Sequence, residues 1–398
     1  MQKKIIAVAV AGLSTAAFAQ TNVTIYGVAD VSGQGYNVSQ TKATTSKPAG
    51  NVFALENNSS LIGFKGTEDL GNGLKALFQA ETNINITGTQ GSTSGTGAVS
   101  TGATTLFSGL RDSYVGLSSK YGTGMAGFMS TPLRASLNSY DVMPGATGSG
   151  RIEHMMSTMK FNNVASFASS VRATAVAYAM PTLYGFDASI AYTGSNNNGI
   201  NNSATPAAGT CANSLSTCTA QPQSVFGLNL GWTGYGVNVK GAFQQANQNF
   251  TGTNLGDYTS YLVGAGYTGI AGLKLSGVFV RNTLGTTAAM GLTPDGAGKI
   301  TNNQFYTGAS YRMGNWEPRV SAVWSSDVNG SNIQQLGSRQ WTANVGYYMS
   351  KRTQVYGLVS NVSNSANQNF SMAQQSANLR PTNGQNEFTY GMGMRTSF

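Results

Sequence analysis

The chain has 398 residues and a formal net charge of +9, but only 9% of its residues are charged, against about 25% in an ordinary soluble domain. This composition leaves too few charges for a soluble surface, the 10% of aromatic residues argues against disorder, and no apolar run of about 20 residues follows the amino-terminal leader to form a membrane helix. A membrane β-barrel or an uncharged extracellular β protein remains, and the scattered basic residues do not predict binding to nucleic acid.

The first element is a predicted signal peptide. Two lysines precede an apolar stretch, and a small-residue cleavage signal ends at Ala19. We therefore expect cleavage between Ala19 and Gln20. This gives a signal peptide at residues 1–19 and a single mature domain at residues 20–398.

Segments with the alternation of a β-strand follow along the rest of the chain. In a strand, successive side chains point to opposite faces, and Phe305 and Tyr311 alternate in this way with Tyr306 and Ser310. There are about sixteen such segments, which is a strand number found in outer-membrane barrels. The predicted strands are residues 22–31, 59–67, 74–87, 111–117, 125–129, 172–179, 186–193, 225–231, 237–245, 258–267, 273–281, 304–312, 318–325, 341–349, 354–361 and 387–398.

The connections between these strands are alternately short and long. Short turns on one side and long polar loops on the other are typical of outer-membrane barrels. A soluble β-sandwich also shows alternating strands. One face of these strands is too small and polar to fill a packed core, which favours an antiparallel barrel with a water-filled interior over a sandwich.

Two cysteines, Cys211 and Cys218, lie in a long connection rich in Asn, Ser, Thr and Ala. In an oxidising compartment we expect them to form a disulfide, with free thiols as the alternative. No histidine or acidic residue lies near them in the sequence, so we predict no metal site. His154 is the only histidine, and neither a catalytic site nor a cofactor is predicted.

The last strand has the strongest pattern. Phe388, Tyr390, Met392, Met394 and Phe398 alternate with small or polar residues. Such a strand presents one face to hydrocarbon and one to water, and about 9–11 residues are enough to cross a bilayer at a tilt. We expect the carboxy-terminal Phe398 to complete the barrel against the first strand.

Five short motifs resemble those of the general porins of β-proteobacteria, the Neisseria, Bordetella and Burkholderia type. They are Val23-Thr24-Ile25-Tyr26-Gly27-Val28, Gly63-Phe64-Lys65-Gly66-Thr67-Glu68-Asp69-Leu70-Gly71, Arg111-Asp112-Ser113-Tyr114-Val115-Gly116-Leu117, Ser350-Lys351-Arg352-Thr353 with Tyr356, and the terminal Phe398. The resemblance implies an all-β, sixteen-stranded transmembrane barrel that assembles as a homotrimer among outer-membrane lipid and lipopolysaccharide. It also implies passive diffusion of inorganic ions and small hydrophilic solutes.

In this family the third external loop folds inward and narrows the channel, and the resemblance assigns that role to residues 130–170. The acidic residues of this segment are expected to face basic residues on the barrel wall, where Arg111 and Arg172 resemble wall arginines of the family. Fixed charge in a narrow throat biases which ion enters, so we predict a mild anion preference. The predicted constriction residues are Arg111, Arg134, Asp141, Arg151 and Arg172.

Several alternatives stay open at this stage. Arg111 could lie at the lipid rim and Arg151 in a solvated loop. Leu61 and Phe128 stand where the family usually has basic residues, which favours a wider or more apolar throat. The function itself has two alternatives, a substrate-selective outer-membrane channel and a surface barrel that acts as an adhesin or binding protein through its loops.

Overall fold

In the computed structural model, the described residues are 22–39, 50–87, 106–143, 150–156, 158–161, 165–168, 171–194, 218–219, 222–250, 253–286, 298–372 and 381–398. The predicted cleavage site at Ala19 and Gln20 lies outside these residues, as does Cys211. Within the described part of the chain, no helix has both the length and the apolar character needed to cross a membrane.

The described residues form twenty-one strands and two short helices. The strands are β1 (Asn22–Val38), β2 (Gly50–Asn57), β3 (Leu61–Gly71), β4 (Leu74–Ile84), β5 (Phe107–Leu110), β6 (Ser113–Ser119), β7 (Gly122–Ser130), β8 (Thr158–Phe161), β9 (Ala165–Ala168), β10 (Arg172–Ala179), β11 (Phe186–Thr193), β12 (Cys218–Thr219), β13 (Pro222–Gly234), β14 (Val237–Phe250), β15 (Thr253–Tyr267), β16 (Leu273–Thr286), β17 (Gly298–Tyr311), β18 (Trp316–Ser325), β19 (Ser338–Tyr348), β20 (Thr353–Asn364) and β21 (Glu387–Ser397). The helices are α1 (Pro132–Ser139) and α2 (Glu153–Met156).

Eighteen of these strands form one closed antiparallel sheet, and they amount to sixteen wall strands. β2 and β3 pair with successive halves of β1, so they are two parts of one wall strand, interrupted at Ser59, which has a φ of 62°. β5 and β6 both pair with β4 and are likewise one wall strand, interrupted at Arg111 and Asp112. The predicted sixteen-stranded antiparallel barrel is confirmed.

The barrel is closed by the pairing of β1 with β21. The backbone N–H of Gly27 donates to the carbonyl oxygen of Phe398 at 3.0 Å, and the N–H of Phe398 donates back at 3.1 Å. Asp30 lies directly opposite Arg395 in this pairing, and an Arg395 Nη1 to Asp30 Oδ2 contact of 3.2 Å joins the two strands inside the wall. The hydroxyl of Tyr356 on β20 donates to the same carboxylate at 2.7 Å.

Seven connections of two to six residues lie at one end of the barrel, which we call the short-turn end. They are residues 72–73, 120–121, 180–185, 235–236, 268–272, 312–315 and 349–352. β1 begins and β21 ends at this same end. At 235–236, both Tyr235 and Gly236 have positive φ, 51° and 77°, as a two-residue hairpin turn with the twist of its strands requires.

The alternation along the strands separates an outer from an inner face. On β17, the outward Phe305 is 48% exposed, whereas Gln304 and Tyr306 are buried. Exposed apolar side chains of this kind surround the barrel, as a surface that contacts hydrocarbon requires.

The inner face is less polar than the sequence predicts. Buried polar residues such as Ser260 and Asn282 lie on it, but so do Leu262, Val278 and Val280, which belong to a buried apolar cluster. These wall residues pack against the apolar residues of the segment that contains α1 and α2, namely Leu133, Leu137, Tyr140, Ile152, Met155 and Met156. The prediction that this face is too small and polar to fill a packed core is therefore wrong on this side, because wall residues that a loop covers need not face water.

The contact between Gly27 and Phe398 gives a testable prediction. A Cβ atom on Gly27 would lie 2.7 Å from the carbonyl oxygen of Leu61 and would also collide with the Phe398 ring. Because the colliding oxygen belongs to the neighbouring wall strand, we expect Gly27→Ala to lower the free energy of unfolding by about 1–3 kcal/mol in a urea titration of the detergent-folded protein.

Gly124 is the matched control, since a Cβ there has no atom within 4 Å. The Gly124→Ala variant should unfold at the same urea concentration as the unmodified protein, within error. Equal stability of the two variants would contradict tight packing of Gly27 against Phe398 and Leu61.

Candidate pore constriction

Residues 131–171 connect β7 to β10 and contain α1 and α2. The start of α1 follows from the sequence: Thr131 is the N-cap, its side chain accepts from the backbone N–H of Arg134, and Pro132 occupies the first turn, where its missing N–H costs nothing. Leu133 and Leu137, one helical turn apart, are fully buried. Their apolar face holds α1 against the barrel wall.

Tyr140, at the end of α1, attaches this segment to the wall. Its hydroxyl donates to Asn238 Oδ1 at 2.7 Å and to the carbonyl oxygen of Gly264 at 3.0 Å. Gly264 is required here, because a Cβ on it would lie 2.7 Å from Tyr140 Cδ2. The carbonyl oxygen of Tyr140 accepts from Ser276 Oγ at 2.7 Å.

Further hydrogen bonds extend the attachment across β16 and β17. Lys274 Nζ donates to the carbonyl oxygen of Asp141 at 2.6 Å, and the backbone N–H of Val142 donates to the hydroxyl of Tyr306 at 3.1 Å. Gln304 Nε2 donates to the carbonyl oxygen of Met155 at 2.8 Å. These wall residues alternate with the exposed outward ones, so the described part of the segment lies on the inner side of the wall.

Asp141 is buried within the loop. Its side chain is only 3% exposed, and its carboxylate accepts from the backbone N–H groups of Met143 at 2.9 Å and Ile152 at 3.2 Å. Burial raises the pKa of this carboxyl group, and the two N–H donors act against that rise. Asp141 thus joins two parts of the loop, and its charge also interacts with Arg151 of the loop and with Lys274 on the wall.

Glu153 forms ion pairs with two of the predicted arginines. Arg134 forms a two-pronged pair with it, Nη1 to Oε1 at 2.8 Å and Nη2 to Oε2 at 2.9 Å, and Arg151 Nη2 lies 2.6 Å from Oε2. Asn138 Nδ2 donates to Oε1 at 2.8 Å. Burial alone would raise the pKa of Glu153, but Arg151 and Arg134 outweigh it and hold this pKa at about 2.

The other two predicted arginines are paired on the wall. Arg111, between β5 and β6, pairs with Glu81 and also donates from Nη1 to Asn83 Oδ1 at 3.0 Å. Arg172, the first residue of β10, lies with Nε 2.8 Å from Asp112 Oδ1. Both arginines are largely buried, with side-chain exposures of 17% for Arg111 and 18% for Arg172.

The wall and loop groups meet in one cluster. Arg151 Nη1 donates to Ser59 Oγ at 2.8 Å, which links the loop to the interruption between β2 and β3. Arg172 and Arg151 are also close enough to Arg111 to repel its charge. The structure therefore brings together four of the five predicted constriction residues. With three carboxylates, from Glu81, Asp112 and Glu153, the four arginines give the cluster a net charge of +1 (four minus three).

Sequence reasoning did not assign Glu81 and Asp112 to the constriction. The alternation of β4 places Glu81 on the same face as Gln79, and Asp112 directly follows Arg111. These were the available signals, but the partner of each carboxylate depends on strand register. Of the predicted disulfide pair, only the backbone of Cys218 is described, in β12, where it pairs with Ala165 of β9; the disulfide remains a prediction.

Known proteins resemble this chain over most of its length. A family model described as Gram-negative porin matches residues 6–367. The major outer membrane protein P.IB of Neisseria gonorrhoeae is 28% identical over 364 residues, which cover 89% of this chain and 91% of that protein. The anion-selective porin from Comamonas acidovorans has a similar structure, with a TM-score of 0.68 at 22% identity over 95% of this chain and 100% of that one.

A more distant likeness is to OmpT of Vibrio cholerae in a trimer form, with a TM-score of 0.57 at 14% identity over 95% of this chain and 99% of that one. The likeness of these two structures concerns the barrel fold. The match to the family model covers far more than half of the sequence. The chain therefore belongs to the Gram-negative porin family and is an outer-membrane channel protein, not an enzyme.

Proposed function

We propose that the segment 131–171 forms the constriction of this channel and that the charge cluster beside it gives the channel a mild anion preference. The observation that supports this proposal is the excess of one positive charge where loop and wall meet. The similar fold of an anion-selective porin is consistent with it. The solutes would be inorganic ions and small hydrophilic molecules that cross by passive diffusion, without a cofactor.

The pairing of the arginines explains why the preference would be mild. An arginine in contact with a carboxylate presents a dipole to a passing ion, and its field falls off faster than that of a single charge. Only the unbalanced charge acts over the width of a wet throat. Fixed charge in a throat with low-dielectric walls still concentrates ions of the opposite sign, so a net charge of +1 favours anions.

The attachment of the loop indicates where solutes would pass. The loop packs against the inner face of β14 to β18 through apolar side chains and hydrogen bonds. The opposite inner wall carries half-buried polar residues, among them Tyr26, Gln79 and Tyr114. We infer that the water-filled path runs between this wall and the loop.

Three further features of the protein are proposals of the same kind. The exposed apolar outer face would contact outer-membrane lipid, lipopolysaccharide and neighbouring subunits of a homotrimer, in line with the trimer form of a protein of similar fold. The signal peptide at residues 1–19 would be removed between Ala19 and Gln20. Cys211 and Cys218 would form a disulfide in the oxidising periplasm.

The ion preference can be tested by removing one wall arginine. Arg111→Gln lowers the net charge of the cluster from +1 to zero, so we expect the ratio of chloride to potassium permeability to fall about twofold. The measurement is the reversal potential of single channels in a potassium chloride gradient. Arg281→Gln is the matched control. Arg281 is exposed and lies opposite Tyr261 in the register of β15 and β16, so it is on the outer face of the barrel. A ratio that stays unchanged in Arg111→Gln, or an unmodified channel that prefers cations, would contradict the proposal.

Acid should release the loop only well below neutral pH. Glu153 has an ordinary pKa of 4.5 and a pKa of about 2 in the protein, so its contribution to loop stability is complete above pH 4.5 and is lost as the pH falls toward 2. The raised pKa of Asp141 has the opposite sign, since its early protonation favours the folded loop. We expect the open-channel current noise to stay constant down to about pH 4.5 and to rise below it.

The Glu153→Gln variant serves as the control for this titration. It removes at neutral pH the charge that the unmodified protein loses only in acid, so its current should be noisy already at pH 7. Noise that rises in the unmodified protein between pH 7 and about pH 5 would show that Glu153 does not control the loop.

A further inference from the structure

A continuous row of contacts runs along the inner wall from the constriction toward the short-turn end. Arg111 pairs with Glu81, whose Oε2 accepts a hydrogen bond from the hydroxyl of Tyr26 at 3.0 Å. The ammonium of Lys65 lies over the Tyr26 ring, 5.1 Å from its centroid. Lys65 is therefore connected to the constriction through a tyrosine and a carboxylate.

The register of the sheet places Lys65 on the inner face. Lys65 lies directly opposite Thr24 on β1 and Gln79 on β4, and paired residues of antiparallel strands project to the same face. The side chain of Gln79 donates to the carbonyl oxygen of Asp112, which belongs to the constriction cluster. Lys65 lies nearer than Gly63 to the turn that follows β3, and hence nearer to the short-turn end.

The Tyr26 ring lies flat against the wall because Gly63 has no side chain. A Cβ on Gly63 would lie 2.8 Å from Tyr26 Cε1. The flat ring supports the ammonium of Lys65 from one side, as in other contacts between a cation and an aromatic face. The remaining surface of the lysine is exposed.

Lys65 differs from the constriction arginines in its electrostatic surroundings. Seven ion pairs occur among the described residues, and they include each of the four arginines but not Lys65. A tyrosine ring does not neutralise an ammonium group, so Lys65 acts on a passing ion as a single positive charge. Its field reaches further into the channel than that of a paired arginine.

We propose that Lys65 is a second selectivity-determining residue. It forms a site that attracts anions on the inner wall, between the constriction and the short-turn end. This inference rests on the proposed path along the inner wall of β1 to β7. The ligand class is small anions, namely halides, carboxylates and phosphates. An anion that enters from the short-turn end meets the exposed Lys65 before it reaches the cluster of paired arginines, so this lysine concentrates anions on one side of the throat.

The proposal is tested by comparing Lys65→Gln with Lys120→Gln. Lys120 is an exposed lysine whose ammonium lies 5.0 Å from the Tyr121 ring centroid, but it belongs to a short turn outside the inner wall. We expect Lys65→Gln to lower the ratio of chloride to potassium permeability about twofold and Lys120→Gln to leave it unchanged. The measurement is the single-channel reversal potential in potassium chloride gradients of both directions. Equal ratios in the two variants would overturn the proposal.

A second variant keeps the test valid if Lys65→Gln folds poorly. Lys65→Cys can be made in a chain that also carries Cys211→Ser and Cys218→Ser, folded, inserted into the bilayer and then modified there with a cationic or a neutral thiol reagent. The cationic reagent should restore the permeability ratio of the unmodified channel and the neutral one should not, while neither should change the ratio of the cysteine-free chain that keeps Lys65. No difference between the two reagents would also overturn the proposal.

The same measurements distinguish a failure of the proposed role of Lys65 from a failure of the proposed overall anion preference. If the unmodified channel prefers cations, the proposed overall preference fails. Lys65→Gln must then still shift the ratio further toward cations, and the absence of that shift would overturn the role of Lys65 alone.

Discussion

The constraint on which this structure depends is that no backbone N–H or C=O group can remain unpaired in hydrocarbon, where each would cost several kcal/mol. A sheet meets this constraint only if its first and last strands pair. The chain does so through β1 and β21, with the backbone of Gly27 bonded to that of Phe398 at the short-turn end. The Asp30 to Arg395 contact on the inner side reinforces the same pairing with a charge-assisted bond. The alternation of faces, the short turns and the wet interior all follow from this closure.

Closure also creates an enclosed space, and the chain uses its longest described connection to divide that space. One side is packed, where α1 and α2 bury apolar side chains against the inner face of β14 to β18. The other side carries half-buried polar residues and the paired arginines. The apolar contacts fix where the loop lies, and the ion pairs set the charge that solutes meet.

The sequence predicted the strands of the barrel wall well, but it predicted the contacts inside the barrel poorly. Period-two alternation gives the number of strands because each strand must present one face to lipid and one to the interior. The interruption at Ser59 was missed, since a local positive φ leaves no trace in a hydrophobic pattern. The interruption at Arg111 was missed because it is visible only in the pairing of β4 with both β5 and β6. The apolar patch at Leu262 and Val278 and the carboxylate partners of the arginines depend on contacts between residues far apart in the chain. The buried position of Asp141 depends on backbone donors that no side-chain pattern records.

The Tyr140 ring packs directly against the α-carbon of Gly264, and its hydroxyl donates a hydrogen bond to the carbonyl oxygen of Gly264. A larger residue at 264 displaces the ring, and a smaller one at 140 leaves a hole beside the glycine. The two positions are therefore expected to change together during evolution. Within the porin family, covariation of this pair would mark the lineages that keep the same channel cross-section.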